Sequence, residues 1–140
     1  MDTASVHSLK KHEILRGSKQ VSKLFSSARS FRGKFIKALF APLETGCGGK
    51  RSLPKVLFVV GRKIRPHAVD RNRVKRLMKE AYRHEKPVAV DCAGSYADDG
   101  KKVLCIAFMY IGRNKTLPSS ERFRKEIREL LEGIKSVAPG

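Results

Sequence analysis

The 140-residue chain contains no tryptophan, and aromatics make up only 7% of it. Its interior must therefore be mostly aliphatic and modest in extent, and a basic helix lying on a membrane would have no Trp to anchor it. Cysteines are few: Cys47, Cys92 and Cys105 stand far apart. None forms a CxxC or a Cys/His pair at metal-ligand spacing, which excludes the common zinc frameworks. A sparse, odd count fits a reducing cytosol, and Cys105, inside an apolar run, reads as a small buried hydrophobe. No apolar run approaches the ~20 residues that span a bilayer, and MDTASVHSLKKHE at the start has no apolar signal core. Gly46, Gly48 and Gly49 neither follow a strand closely nor open a helix, so no phosphate-cradling loop is present. Acids are scarce as well: 13 Asp and Glu face 31 Lys and Arg, a net charge of +18. Self-repulsion of that size favours a polyanionic partner, and nucleic acid is the expected one.

A constellation for chemistry is also missing. His67, His84, Asp70 and Glu80 are the candidates, but Asp70 suits a helix cap and Glu80 with His84 suits a local i,i+4 pair. Asp98-Asp99-Gly100 reads as a turn. With no nucleophile–base pair, carboxylate pair or metal cluster, any catalysis in which the chain takes part belongs to a partner.

What is abundant is positive charge between Arg62 and Lys86, where ten cations meet three acids. Val74, Leu77, Met78, Ala81 and Tyr82 mark an apolar helical stripe, and the spacing predicts a helix over 71–85. Asp70 is its expected N-cap, and Val69 with Val74 an expected hydrophobic staple. Arg71, Asn72 and Arg73 then form the first turn, where free backbone N–H groups already favour a phosphate. Lys75, Arg76 and Lys79 continue the cationic side, and Arg62, Lys63 and Arg65 lie in the preceding loop. These nine residues are the candidate RNA-binding set. The last helix offers a contrast, because its charges from 121 to 132 balance at four of each sign. Pairs such as Arg122/Glu126 stand there at i,i+4, as on an ordinary solvated face.

Taken in order, residues 1–14 read as a disordered basic tail, 15–136 as a single RNA-binding domain and 137–140 as a C-terminal tail. A first helix is expected at about 19–29, capped by Ser18, with Val21, Leu24, Phe25 and Ala28 on one face. A strand is expected over 35–41, stopped by Pro42, with Lys34 and Lys37 marking a partly wet surface. A flexible hairpin connection follows over 42–54, and then a strand over 55–61. Residues 87–102 read as a loop, 103–111 as a central strand, and 121–134 as a helix capped by Ser119 or Ser120. The outcome is a two-layer α/β (α+β) sandwich: a small central sheet with three helices, in the order α-β-β-(β)-α-β-α.

The string Arg71-Asn72-Arg73-Val74-Lys75-Arg76-Leu77 resembles the helix start of the bacterial ribonuclease P protein component, where RNR-x-KR follows a strand and a Lys-containing turn. Here the approach is Val59-Val60-Gly61-Arg62-Lys63-Ile64. The likeness extends over most of 15–134, with Leu15, Arg16, Val21, Leu24 and Phe25 at the family's first-helix positions. It implies a cytoplasmic protein subunit that supports endonucleolytic removal of the 5′ leader from precursor tRNA. A catalytic RNA does the chemistry with Mg²⁺, and the protein itself carries no cofactor. The implied partners are that RNA and precursor tRNA, with no membrane and no DNA. It also implies a left-handed β-α-β crossover and a leader-binding cleft involving Val21, Phe25, Lys34, Phe35 and Lys37. The chain departs from the family at Ile64-Arg65-Pro66-His67, where many members have a shorter Gly-containing turn. Val21 stands where many have Phe, and Ala38 where some have Tyr. The competing reading is a non-catalytic ribosomal or assembly protein.

Overall fold

The computed structural model describes residues 14–15, 17–43, 54–96, 103–113 and 116–138. Its elements are α1 (Ser18–Ser27), β1 (Arg29–Arg32), β2 (Ile36–Leu43), β3 (Lys55–Val60), α2 (Ala68–His84), α3 (Lys86–Tyr96), β4 (Val103–Tyr110) and α4 (Ser120–Ser136). One four-stranded sheet has the order β1-β2-β4-β3. The expected central strand is central: β4 is apolar throughout, and every residue in it except Met109 is buried. β2 runs antiparallel to it and β3 parallel, the latter joined to it through α2 and α3.

Strand pleating divides the side chains between two faces. Ile36, Ala38 and Phe40 of β2 join Ile106 and Phe108 of β4 and Phe58 of β3 under α2, α3 and α4. A fully buried Ile or Phe among them, such as Ile36, Ile106 or Phe108, contributes about 1.5–3 kcal/mol. The opposite face is covered only in part. There Leu24 of α1 packs with Leu15, Ala41, Leu43, Cys105 and Ala107. Burial pushes the Cys105 thiol up to about 12, against a smaller opposing pull from Lys55. It is the inert apolar residue that its sequence context suggests.

Several expectations are corrected. α1 begins at Ser18 after Gly17, whose φ of +87° serves a turn that a side chain would strain. The helix stops at Ser27, and Arg29–Arg32 forms an edge strand, with Phe31 stacked on Phe40 at 5.6 Å between ring centroids. Pro42 lies inside β2 rather than ending it. β1 pairs only as far as Phe40, so Pro42 has a strand neighbour on one side alone, where a missing N–H is tolerated. β2 and β3 are separated by β4, so 42–54 is not a hairpin connection; residues 44–53 lie outside the described set. Most of the expected tail is outside it too, but Ile14 bridges Val56 and the Leu15 N–H donates to the Val56 carbonyl at 2.8 Å.

The stretch 87–102 is not all loop, since α3 occupies Lys86–Tyr96 and raises the helix count to four. Pro87 falls in the first turn, where its missing N–H has no helical partner to lose. Ala89, Cys92, Ala93 and Tyr96 are buried, and the Tyr96 hydroxyl donates to the Ile134 carbonyl at 2.6 Å. α4 starts as expected, with the Ser119 hydroxyl accepting from the Arg122 N–H. Its charges are not simply solvated. Glu126, only 7% exposed, accepts backbone N–H bonds from Lys34 at 3.0 Å and from Phe35 and Ile36 at 2.7 Å. Arg124 and Arg128 each reach Glu85 at 3.0 Å, tying α4 to the end of α2.

Candidate RNA interface

The basic helix begins earlier than its sequence suggests. α2 starts at Ala68, with His67 in the N-cap position and no side-chain cap bond. Asp70 is therefore a first-turn residue, still at the positive end of the helix dipole but not the cap. Val69 is 80% exposed and staples nothing. The cause is the Pro66-His67 approach. The Arg71 guanidinium donates to the carbonyls of Arg65 at 3.0 Å and Pro66 at 2.7 Å, which binds the loop to the helix start. No side chain caps the first turn, so its leading N–H groups are not taken up by a cap, as an anion site requires.

Burial of Val74, Met78, Ala81 and Tyr82 fixes the rotation of α2. Asn72, Arg73, Arg76 and Lys79 are exposed as a result, and Lys75 is half-buried. Ahead of the helix, Gly61 accepts the Ile64 and Arg65 N–H bonds, and Arg62 and Lys63 stand exposed in that turn. Arg65 is half-buried, with its guanidinium 5.9 Å from the centre of the Tyr110 ring. Arg65 and Arg71 thus shape the loop, and the exposed cations surround it. Arg83 pairs with Glu80 at 2.8 Å, and His84 lies 4.0 Å from the same carboxylate.

The open face of the sheet forms a second surface. Strand register puts Arg32, Lys37, Met109 and Val59 in one row across β1, β2, β4 and β3. The next row is Ser30, Leu39, Ala107 and Leu57. α1 closes the far end through Leu24 and leaves Leu39, Leu57, Val59 and Met109 half-buried. Val21 is half-buried on α1, and Phe25 is 42% exposed.

Two expected cleft residues lie elsewhere. Phe35 is buried on the helix side, edge-on to Phe123 at 5.0 Å. Lys34 borders a groove of about 140 Å³ beside α4 with Arg122 and Lys125. The reason is the turn at Gly33–Ile36, which Glu126 draws toward α4. Ala38 is also on the helix side, and its neighbour Leu39 faces the open side. The open face also presents Arg32, Leu39, Leu57, Val59 and Met109, which the sequence reading does not single out. Period-two alternation could have found those on β2 and β3, but the strand at Arg29–Arg32 gives too short a signal.

Among the described residues, no three His, Cys, Asp or Glu side chains gather as a metal site, and none of their helices is long and apolar enough to cross a membrane. Fold and charge together define the class: a basic α+β nucleic-acid-binding protein that presents a cationic helix start and a half-covered sheet. The family model for ribonuclease P matches residues 9–135. The chain is 41% identical over 130 residues to the ribonuclease P protein component of Chlorobaculum tepidum, covering 93% of this chain and 84% of that one. It is 39% identical over 140 residues to that of Chlorobium phaeobacteroides, covering 96% and 93%. The chain belongs to the ribonuclease P protein component family. Solved structures share the fold. The ribonuclease P protein of Staphylococcus aureus aligns with a TM-score of 0.58 at 12% identity, covering 91% of this chain and 98% of that one. That of Thermotoga maritima aligns with a TM-score of 0.54 at 24% identity, covering 91% and 99%.

Proposed function

We propose that the chain, as the protein subunit of ribonuclease P, supports removal of the 5′ leader from precursor tRNA through two separate surfaces. The exposed cations of the 61–67 turn and the start of α2 hold the catalytic RNA. Phosphates suit both the side chains and the free N–H groups there. The open sheet face, walled by Val21 and Phe25 and edged by Lys37, holds the single-stranded leader by taking base faces and backbone together. The observation that carries this reading is the incomplete cover of the sheet. α1 buries a single residue of its own, Leu24, and leaves an apolar strip beside a lysine. In this reading the catalytic RNA, with Mg²⁺, carries the hydrolytic chemistry. The setting is the bacterial cytoplasm. A ribosomal or assembly role has no observation in its favour.

Reconstitution with a bacterial ribonuclease P RNA tests the proposal. At low Mg²⁺, precursor tRNA cleavage is expected from the RNA and protein together and not from the protein alone. Cleavage by rigorously RNA-free protein, lost on substitution of His84 or Asp70, would overturn it.

A further inference from the structure

The edge strand carries a cation that the leader reading does not use. Phe31 of β1 turns to the helix side, where it stacks on Phe40. Arg32, the next residue, therefore turns to the open face, and it is exposed. Its register partner is Lys37, whose partner on the other side is Met109, followed by Val59 of β3. This row lies at the end of β3 that runs into the 61–67 turn. The row inside it, Ser30, Leu39, Ala107 and Leu57, bears no charge.

The two rows have different chemistries. A single strand laid across the sheet can place bases over the uncharged row and phosphates over the outer one. From the 61–67 turn the path crosses β3, β4 and β2 before reaching β1. Three interstrand spacings of ~4.8 Å make that crossing about 14 Å. We propose that Arg32 is a further leader-phosphate contact, which extends the path onto the edge strand, farther than the Lys37 contact from the 61–67 turn where the catalytic RNA is held. The inference rests on the open-face reading above and adds to it a direction and an outer end. The occupant is single-stranded RNA, because the two neighbouring cations of the outer row lie beside an uncharged row that can take base faces, rather than within a uniform basic patch.

A ladder of precursor tRNAs whose leaders lengthen one nucleotide at a time tests this, bound to holoenzyme at saturating protein. Arg32→Ala is expected to leave the shortest leaders unaffected and to weaken binding about two- to fivefold once the leader is long, the range for one exposed charge contact. The effect should begin at a longer leader than that of Lys37→Ala, and Arg32→Lys should restore most of it. An unchanged melting temperature separates this from misfolding. If Lys37→Ala and Phe25→Ala depend on leader length and Arg32→Ala never does, the edge contact is wrong and the open-face reading survives. If Arg32→Ala weakens every substrate equally, Arg32 serves the catalytic RNA and the inference is overturned. If none of the three depends on leader length, the open-face reading itself fails.

Discussion

Glu126 is a carboxylate whose sequence neighbours disguise its role. Its spacing from Arg122 suggests a solvated pair, yet it accepts three backbone N–H groups from the turn between β1 and β2. A Cβ on Gly33 would sit 2.7 Å from its carboxyl carbon, so the glycine is what lets the backbone close on the acid. Glu126→Ala leaves those donors without a protein acceptor, and a buried unsatisfied donor costs about 1–3 kcal/mol. A loss of roughly 3 kcal/mol or more in urea unfolding is expected, and less for Glu126→Gln, which keeps one carbonyl oxygen. Equal, small losses for both would mean that water replaces the carboxylate freely. Arg124 is likewise tied down: its guanidinium pairs with buried Glu85, so Arg124→Ala perturbs the contact between α4 and the end of α2.

The elements that were legible are those with strong periodicity or punctuation. β4 announces itself as the most apolar run, and α4 by its stripe and the Ser119 cap. The buried stripe of α2 was readable too, and its start was missed because Asp70 outranks His67 as a cap in any residue preference. What decides that start is Arg71 reaching back to two carbonyls of its own loop, a contact that spacing does not encode. α3 was hidden by Pro87 and Gly94 and by the lack of contrast between its faces, since small apolar residues surround it. The placement of the expected cleft residues was half legible. Val21, Phe25 and Lys37 are at least partly exposed, whereas Phe35 is buried on the helix side because it precedes β2 and follows the turn that Glu126 pulls inward. Gly94 gives a test of α3. A Cβ there meets nothing within 4 Å and φ is not positive, so Gly94→Ala should stabilise the protein by about 0.5–1 kcal/mol. A destabilised Gly94→Ala variant would mean that α3 does not form as described.

At the scale of the whole molecule, a net charge of +18 gives any polyanion affinity, so binding alone distinguishes little. If, as proposed, two surfaces serve two RNAs, damage to one should leave the other's readout intact. Arg73, exposed on α2, belongs to the first surface, and Phe25, exposed on α1, to the second. The most direct measurement compares precursor tRNAs with a long leader and with a one-nucleotide leader on reconstituted holoenzyme, across a titration of protein. Arg73→Ala should raise the protein concentration needed for assembly and reduce the salt slope of catalytic-RNA binding by roughly 0.7–0.9. It should show little leader dependence once protein saturates. Phe25→Ala should assemble normally and weaken only the long-leader substrate, by about 1–3 kcal/mol for one lost base stack. Loss of assembly and of leader discrimination in both variants alike would contradict the separation of the two surfaces.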